Sequence, residues 1–183
     1  HQPAKFAAME GVMESGAPQD LHLIGWMNPS THEVTGISIP YLLTLLTHHD
    51  LDTSITGMND IPQDERPPIL PVFYSFHLMI LIGCALAALF LVGLWGWKKG
   101  WLLQKRWLLW CFAFSVLVPQ IANQAGWAVA ELGRQPWIVY GILRTEHAVS
   151  PTLTAAEALS SLGMFFIIYA LLLALFLYQI THK

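Results

Sequence analysis

An all-α integral membrane fold, with three transmembrane helices behind an N-terminal extramembrane segment, is predicted by three observations. Hydrophobic residues make up 55% of the chain and charged residues only 11%, a balance far from that of a soluble globular domain. Three runs, 72–97, 107–130 and 158–181, contain no Asp, Glu, Lys or Arg, and each exceeds the roughly 20 apolar residues needed to cross a bilayer core. Residues 1–71 instead hold nine of the twelve acids and eight of the eleven prolines, the composition of a punctuated segment outside the lipid.

At the start of the chain, Gln2 to Glu10 reads as a helix, with Pro3 tolerated in its first turn and good helix formers after it. Gly11 and Gly16 are expected to loosen the chain beyond that helix. Tyr41, Leu42, Leu45 and Leu46 form a short apolar stripe, too short to span a membrane and suited to lying against one. Cys84 and Cys111 fall inside apolar runs and read as small buried hydrophobes, so no disulfide framework is implied. The chain opens on His1 with no leader pattern, which reads as a fragment or a processed half.

Lys98, Lys99, Lys105 and Arg106 crowd the link between the first two runs. The positive-inside rule puts that link in the cytoplasm, the N-terminal segment outside, the 131–157 connection outside and the C-terminus inside. The net charge of −3 and the lack of a basic face leave no footprint for nucleic acid. Phosphate loops, nucleophile elbows, CxxC pairs and HExxH are absent, which excludes soluble-type kinases and hydrolases.

The chemistry-bearing residues cluster toward the outer side. Gln120, Gln124, Trp127 and Glu131 recur at helical spacing and make one polar face on the second run. Polar groups in lipid are costly, so such a face belongs against protein or a cofactor. Glu131 is then either functional or an interfacial acid paired with Arg134 three residues on. Met79 lies about 10 Å down the first run, and thioethers and imidazoles both ligate haem iron; packing filler is the other reading of this methionine. His77 is about 200° around the helix from it and cannot readily serve the same metal. Lys5 and Glu10 supply a cation and an acid of the kind a quinol headgroup site uses, or are ordinary solvated helix charges.

Four blocks of sequence carry a resemblance. Gln2-Pro3-Ala4-Lys5 with Ala7-Ala8-Met9-Glu10, then Phe76-His77-Leu78-Met79, then Gly126-Trp127 through Glu131 to Gly133-Arg134-Gln135-Pro136-Trp137, and Arg144-Thr145 ahead of Ser150-Pro151 resemble, in order and spacing, the C-terminal half of cytochrome bd quinol oxidase subunit I of the short quinol-loop type. The resemblance implies that Lys5 and Glu10 belong to the quinol-oxidising loop, that Met79 ligates a low-spin haem b, and that Glu131 ligates a high-spin haem b with Trp127 beside it and Arg134 near the haem cluster. Family members often carry arginine where this chain has His77, which puts a haem-propionate contact there in doubt.

The resemblance further implies quinol oxidation at the outer face of a bacterial cytoplasmic membrane and reduction of dioxygen to water at haem d, with electrons passing through both haems b. The partners it implies are the N-terminal half of subunit I, which supplies the missing haem ligands, subunit II, and the lipid bilayer. A noncatalytic three-span assembly or anchoring subunit is the competing expectation; a small transporter lined by the Gln120 to Glu131 face is a third.

Overall fold

The computed structural model describes residues 2–148, 150 and 152–181, and the chain divides into two units, His1–Thr145 and Glu146–Lys183. Three helical stretches are long and apolar enough to cross a membrane: Ile69–Lys98, Arg106–Leu132 and Ala155–Thr181. The three expected spans are therefore present, starting three, one and three residues earlier than their charge-free runs.

In the first unit, helix α1 (Pro3–Glu10) begins with Pro3 in its first turn, where the missing N–H costs nothing, and ends at Gly11, whose φ of 72° is left-handed. Gly11 does not loosen the chain. Its N–H closes the helix on the Ala7 carbonyl, and a Cβ there would lie 2.6 Å from Val34 Cγ2 and 3.0 Å from Phe73. Gly16 is likewise tied down, pairing with Ile55 in an antiparallel bridge. Gly11→Ala is expected to cost about 1–2 kcal/mol from backbone strain and crowding. Limited proteolysis of the outer segment checks this, with cleavage rising about tenfold; an unchanged rate would show that the segment yields freely.

A hairpin that helical periodicity does not foresee comes after α1. Strands β1 (Leu21–Met27) and β2 (Val34–Ile39) pair antiparallel, with Trp26 opposite Thr35 and Leu21 opposite Ile39. The extramembrane segment thus carries sheet as well as helix, while the membrane part is all-helical. Helix α2 (Leu42–His48) buries Leu43 and Thr44, and leaves Tyr41, Leu45 and Leu46, members of the expected stripe, exposed.

Helix α3 (Ile69–Lys98) has 30 residues, about 45 Å at 1.5 Å per residue, more than a bilayer core. Its N-terminal end anchors the hairpin. The Tyr74 hydroxyl accepts from Met27 N–H at 3.2 Å and reaches the Met27 carbonyl at 3.3 Å.

The second span is not one straight helix. It is α4 (Arg106–Ser115) and α5 (Val118–Leu132), interrupted at residues 116–117. Pro119 has no N–H to give the Ser115 carbonyl, and its ring crowds that turn. Leu117 N–H bonds instead to the Phe114 carbonyl three residues back, at 3.1 Å.

Cys84 and Cys111 are exposed on the helix flanks, not buried as their apolar setting implied. A short hairpin, β3 (Trp137–Val139) and β4 (Leu143–Arg144), closes the unit. Its Arg144 lies over the Trp137 ring at 5.1 Å and binds Asp64 at 2.5 Å.

The core of this unit sits at the N-terminal end of α3, where Ala4, Ala7 and Ala8 of α1 meet Val72 of α3, Val129 of α5, and Leu43, Ile55 and Met58. Small residues on α1 let it approach α3 closely, which fixes Lys5 and Glu10 relative to the end of α5. In the second unit, α6 (Ala155–Thr181) starts at a capping box: Thr154 N–H donates to Glu157 Oε2 at 2.9 Å, and Glu157 N–H donates back to Thr154 Oγ1 at 3.3 Å.

Candidate functional site

Helix α5 has two opposed faces. Ala125 and Val129 are buried, and Gly126 and Gly133 sit beside them on the side turned to α3 and α1. At 100° per residue, Gln120, Gln124, Trp127 and Glu131 fall on the opposite side. Both glutamines are exposed, and so is Trp127, at 65%. The polar stripe therefore points away from α3 and out of the chain.

Gly126 brings Met79 to this helix pair. A Cβ on residue 126 would stand 2.9 Å from Met79 Sδ, so the half-buried thioether rests on bare backbone where only glycine leaves room. His77, two residues earlier, is used differently. Nδ1 is 3.0 Å from the Phe73 carbonyl and Nε2 is 3.1 Å from the His22 carbonyl. The tautomer decides which nitrogen donates, but both face backbone of α3 and β1. The imidazole thus helps Tyr74 hold the hairpin on α3.

At the end of α5, Arg134 donates to Glu131, the i+3 pairing that the sequence allowed. Their side chains are 37% and 43% exposed, so the pair is worth at most about 1 kcal/mol and Glu131 is readily drawn to a stronger partner. Arg134 Nε and Trp137 Nε1 are buried donors with no hydrogen-bond partner among the described residues. Leaving such donors unmet costs about 1–3 kcal/mol each, which a bound anion or carboxylate would recover.

Lys5 and Glu10 lie on different sides of α1, five residues and so about 140° apart. Lys5 packs along the end of α5, with Cγ 3.0 Å from where a Gly133 Cβ would be. It also lines an open cleft of about 440 Å³ formed by Gln2, Pro3, Phe6 and Met9 of the first segment, Thr47 and His48 at the end of α2, and residues 54–56. Glu10 does not line the cleft. It is 7% exposed, its Oε2 has no hydrogen-bond partner among the described residues, and burial pushes its carboxyl up to about 7. Sequence reasoning assigns no role to His48. Nothing in local spacing marks it, because the cleft joins three segments up to about fifty residues apart.

This is a multi-pass helical membrane protein in which Lys5, Glu10, Glu131 and Arg134 gather where α1 meets the N-terminal end of α3 and the C-terminal end of α5. The chain belongs to the cytochrome bd terminal oxidase subunit I family, whose model matches residues 1–183. It is 32% identical over 193 residues to the cytochrome bd ubiquinol oxidase subunit 1 of Bacillus subtilis (strain 168), covering 100% of this chain and 41% of that protein. It is 28% identical over 239 residues to the cytochrome bd-II ubiquinol oxidase subunit 1 of Escherichia coli (strain K12), covering 94% and 46%. The solved structure of bd oxidase from Geobacillus thermodenitrificans superposes with a TM-score of 0.68 at 34% identity, covering 95% of this chain and 40% of that one. The chain spans less than half the length of these relatives.

The donor set fits the haem groups that the family implies. A thioether is a haem iron ligand and a carboxylate is an oxygen donor known to bind iron, and the orphaned Arg134 Nε and Trp137 Nε1 are donors that an anionic propionate would satisfy.

Proposed function

We propose that this chain is the C-terminal part of the haem-bearing subunit of a quinol:oxygen oxidoreductase in a bacterial cytoplasmic membrane. It works with the N-terminal half of subunit I and with subunit II. The residues 1–71 segment and the 131–157 connection lie outside, and the C-terminus lies in the cytoplasm. Low-spin haem b, high-spin haem b and haem d, when bound, supply the redox chemistry that joins quinol oxidation to dioxygen reduction.

The observation that carries this reading is the outward-facing stripe of α5. Two glutamines and a carboxylate cannot be left to lipid, and they lead to two buried donors with no acceptor among the described residues. Glu131 would ligate the high-spin haem b, with Trp127 beside it, and Arg134 and Trp137 would receive propionate charge. Met79 offers its sulfur to the low-spin haem. His77 supports that end of α3 by fastening the hairpin, since both its nitrogens face carbonyls. Lys5 borders the quinol cleft, and Glu10 stands behind it as a buried acid able to hold a proton near neutral pH.

The apolar walls of the cleft, Phe6, Met9 and Ile55, suit a flat aromatic headgroup, and its volume is in the range of small-molecule sites. Glu131→Gln in the assembled oxidase is expected to remove the high-spin haem b signal from the absorption spectrum while the other haem bands persist. Full haem content with native bands would show that Glu131 is only an interfacial partner of Arg134, as an anchoring subunit would allow.

A further inference from the structure

We infer that His48 is the base that takes the first proton from the quinol hydroxyl in the cleft beside Lys5. The inference rests on reading that cleft as the quinol site. Among the residues lining it, only Lys5 and His48 are titratable. The lysine ammonium already carries its proton and can only donate. Gln2, Thr47, Ser54 and Thr56 offer an amide and hydroxyls that do not hold an added proton at neutral pH, and Thr47 Oγ1 is already committed to the Leu43 carbonyl at 2.8 Å. Glu10 faces the core and not the cleft. The imidazole is thus the one side chain among the lining residues that can take up a proton as a general base.

Asp50 lies two residues later. Its carboxylate accepts from the Thr53 hydroxyl at 2.7 Å, from Thr53 N–H at 2.8 Å and from Asp52 N–H at 3.0 Å. Those Thr53 bonds come first among the causes holding the Asp50 carboxyl below the usual range, and the nearby His48 contributes last. An ionised carboxylate therefore lies near the imidazole. In the transfer, the quinol O–H breaks and an N–H forms on His48. The charge left on the quinol oxygen is balanced by the Lys5 ammonium. His48 itself is exposed, so the proton can pass on to water at the same surface.

The test uses the assembled oxidase with duroquinol as donor, and rates are normalised to haem so that partial assembly cancels. His48→Gln is expected to lower kcat about 100-fold, with duroquinone binding measured at equilibrium unchanged, and His48→Glu, which restores a base, is expected to recover much of the rate. Lys5→Met is expected to weaken duroquinone binding. A native rate in His48→Gln, with Lys5→Met impaired, overturns the role of His48 and leaves the cleft standing as the quinol site. Equal slowing in His48→Gln and His48→Glu also overturns it, since shape and not basicity would then matter. Native rates and binding in both Lys5→Met and His48→Gln would remove the quinol site from this cleft altogether.

Discussion

A Met79→Leu oxidase is expected to stay folded and to lose the absorption signature of the low-spin haem b. Leucine nearly matches methionine in volume, and such swaps in packed sites cost less than about 1.5 kcal/mol. The sulfur lone pair alone disappears. Gly126→Ala makes the complementary change, since the new Cβ would sit 2.9 Å from Sδ and must push the flexible thioether aside. Methionine ligation raises haem potential, so a displaced sulfur should lower the midpoint potential in a redox titration without deleting the ligand. A native low-spin band in Met79→Leu, with a native potential in Gly126→Ala, would leave Met79 as filler between α3 and α5.

The second large effect concerns Glu10 and pH. Burial raises its carboxyl from 4.5 to about 7 in the folded protein, so the folded state binds more protons than the unfolded state between those values. Its stabilising contribution is therefore complete below about pH 4.5 and is lost as pH rises through about 7. At about 1.4 kcal/mol per unit, the swing is on the order of 3 kcal/mol. His22 acts in the opposite sense, because burial lowers its imidazole and stability then rises with pH. The informative measurement is thus a difference: the thermal midpoint of the assembled protein between pH 5 and 8, native against Glu10→Gln. The native midpoint should fall relative to the variant across that window. Parallel curves would mean that Glu10 is solvated or paired in the full assembly.

Other carboxylates do not blur this window. Asp50, bound by Thr53, and Asp64, bound by Arg144, are both held below the usual range. Their contribution is lost only as pH falls below that of an ordinary carboxylate.

The hairpin shows why part of the fold is hard to read from local pattern. Val34-Thr35-Gly36-Ile37-Ser38-Ile39 alternates with β-branched residues after an Asn28-Pro29 turn signal, a legible strand pattern. Its partner Leu21 to Met27 does not alternate, because the register shifts between His22 and Ile24 and because Gly25 leaves the room that Val34 occupies. Pro119 is equally visible, and a helix break at it is the consequence of its missing N–H.

Taken alone, the sequence determined the three spans, the polar outer segment, the helix at Pro3–Glu10 and the polar stripe that ends at Glu131, since these rest on composition and on periods of a few residues. The tertiary structure decided which face of α5 is left open, that Met79 rests on Gly126, that His77 is consumed by backbone carbonyls, and that Lys5 shares a cleft with His48 while Glu10 does not. The reason is physical: a helix's charge and period are written in neighbouring residues, whereas a cleft is made by close approach of distant segments, and close approach is set by where glycine and alanine leave room.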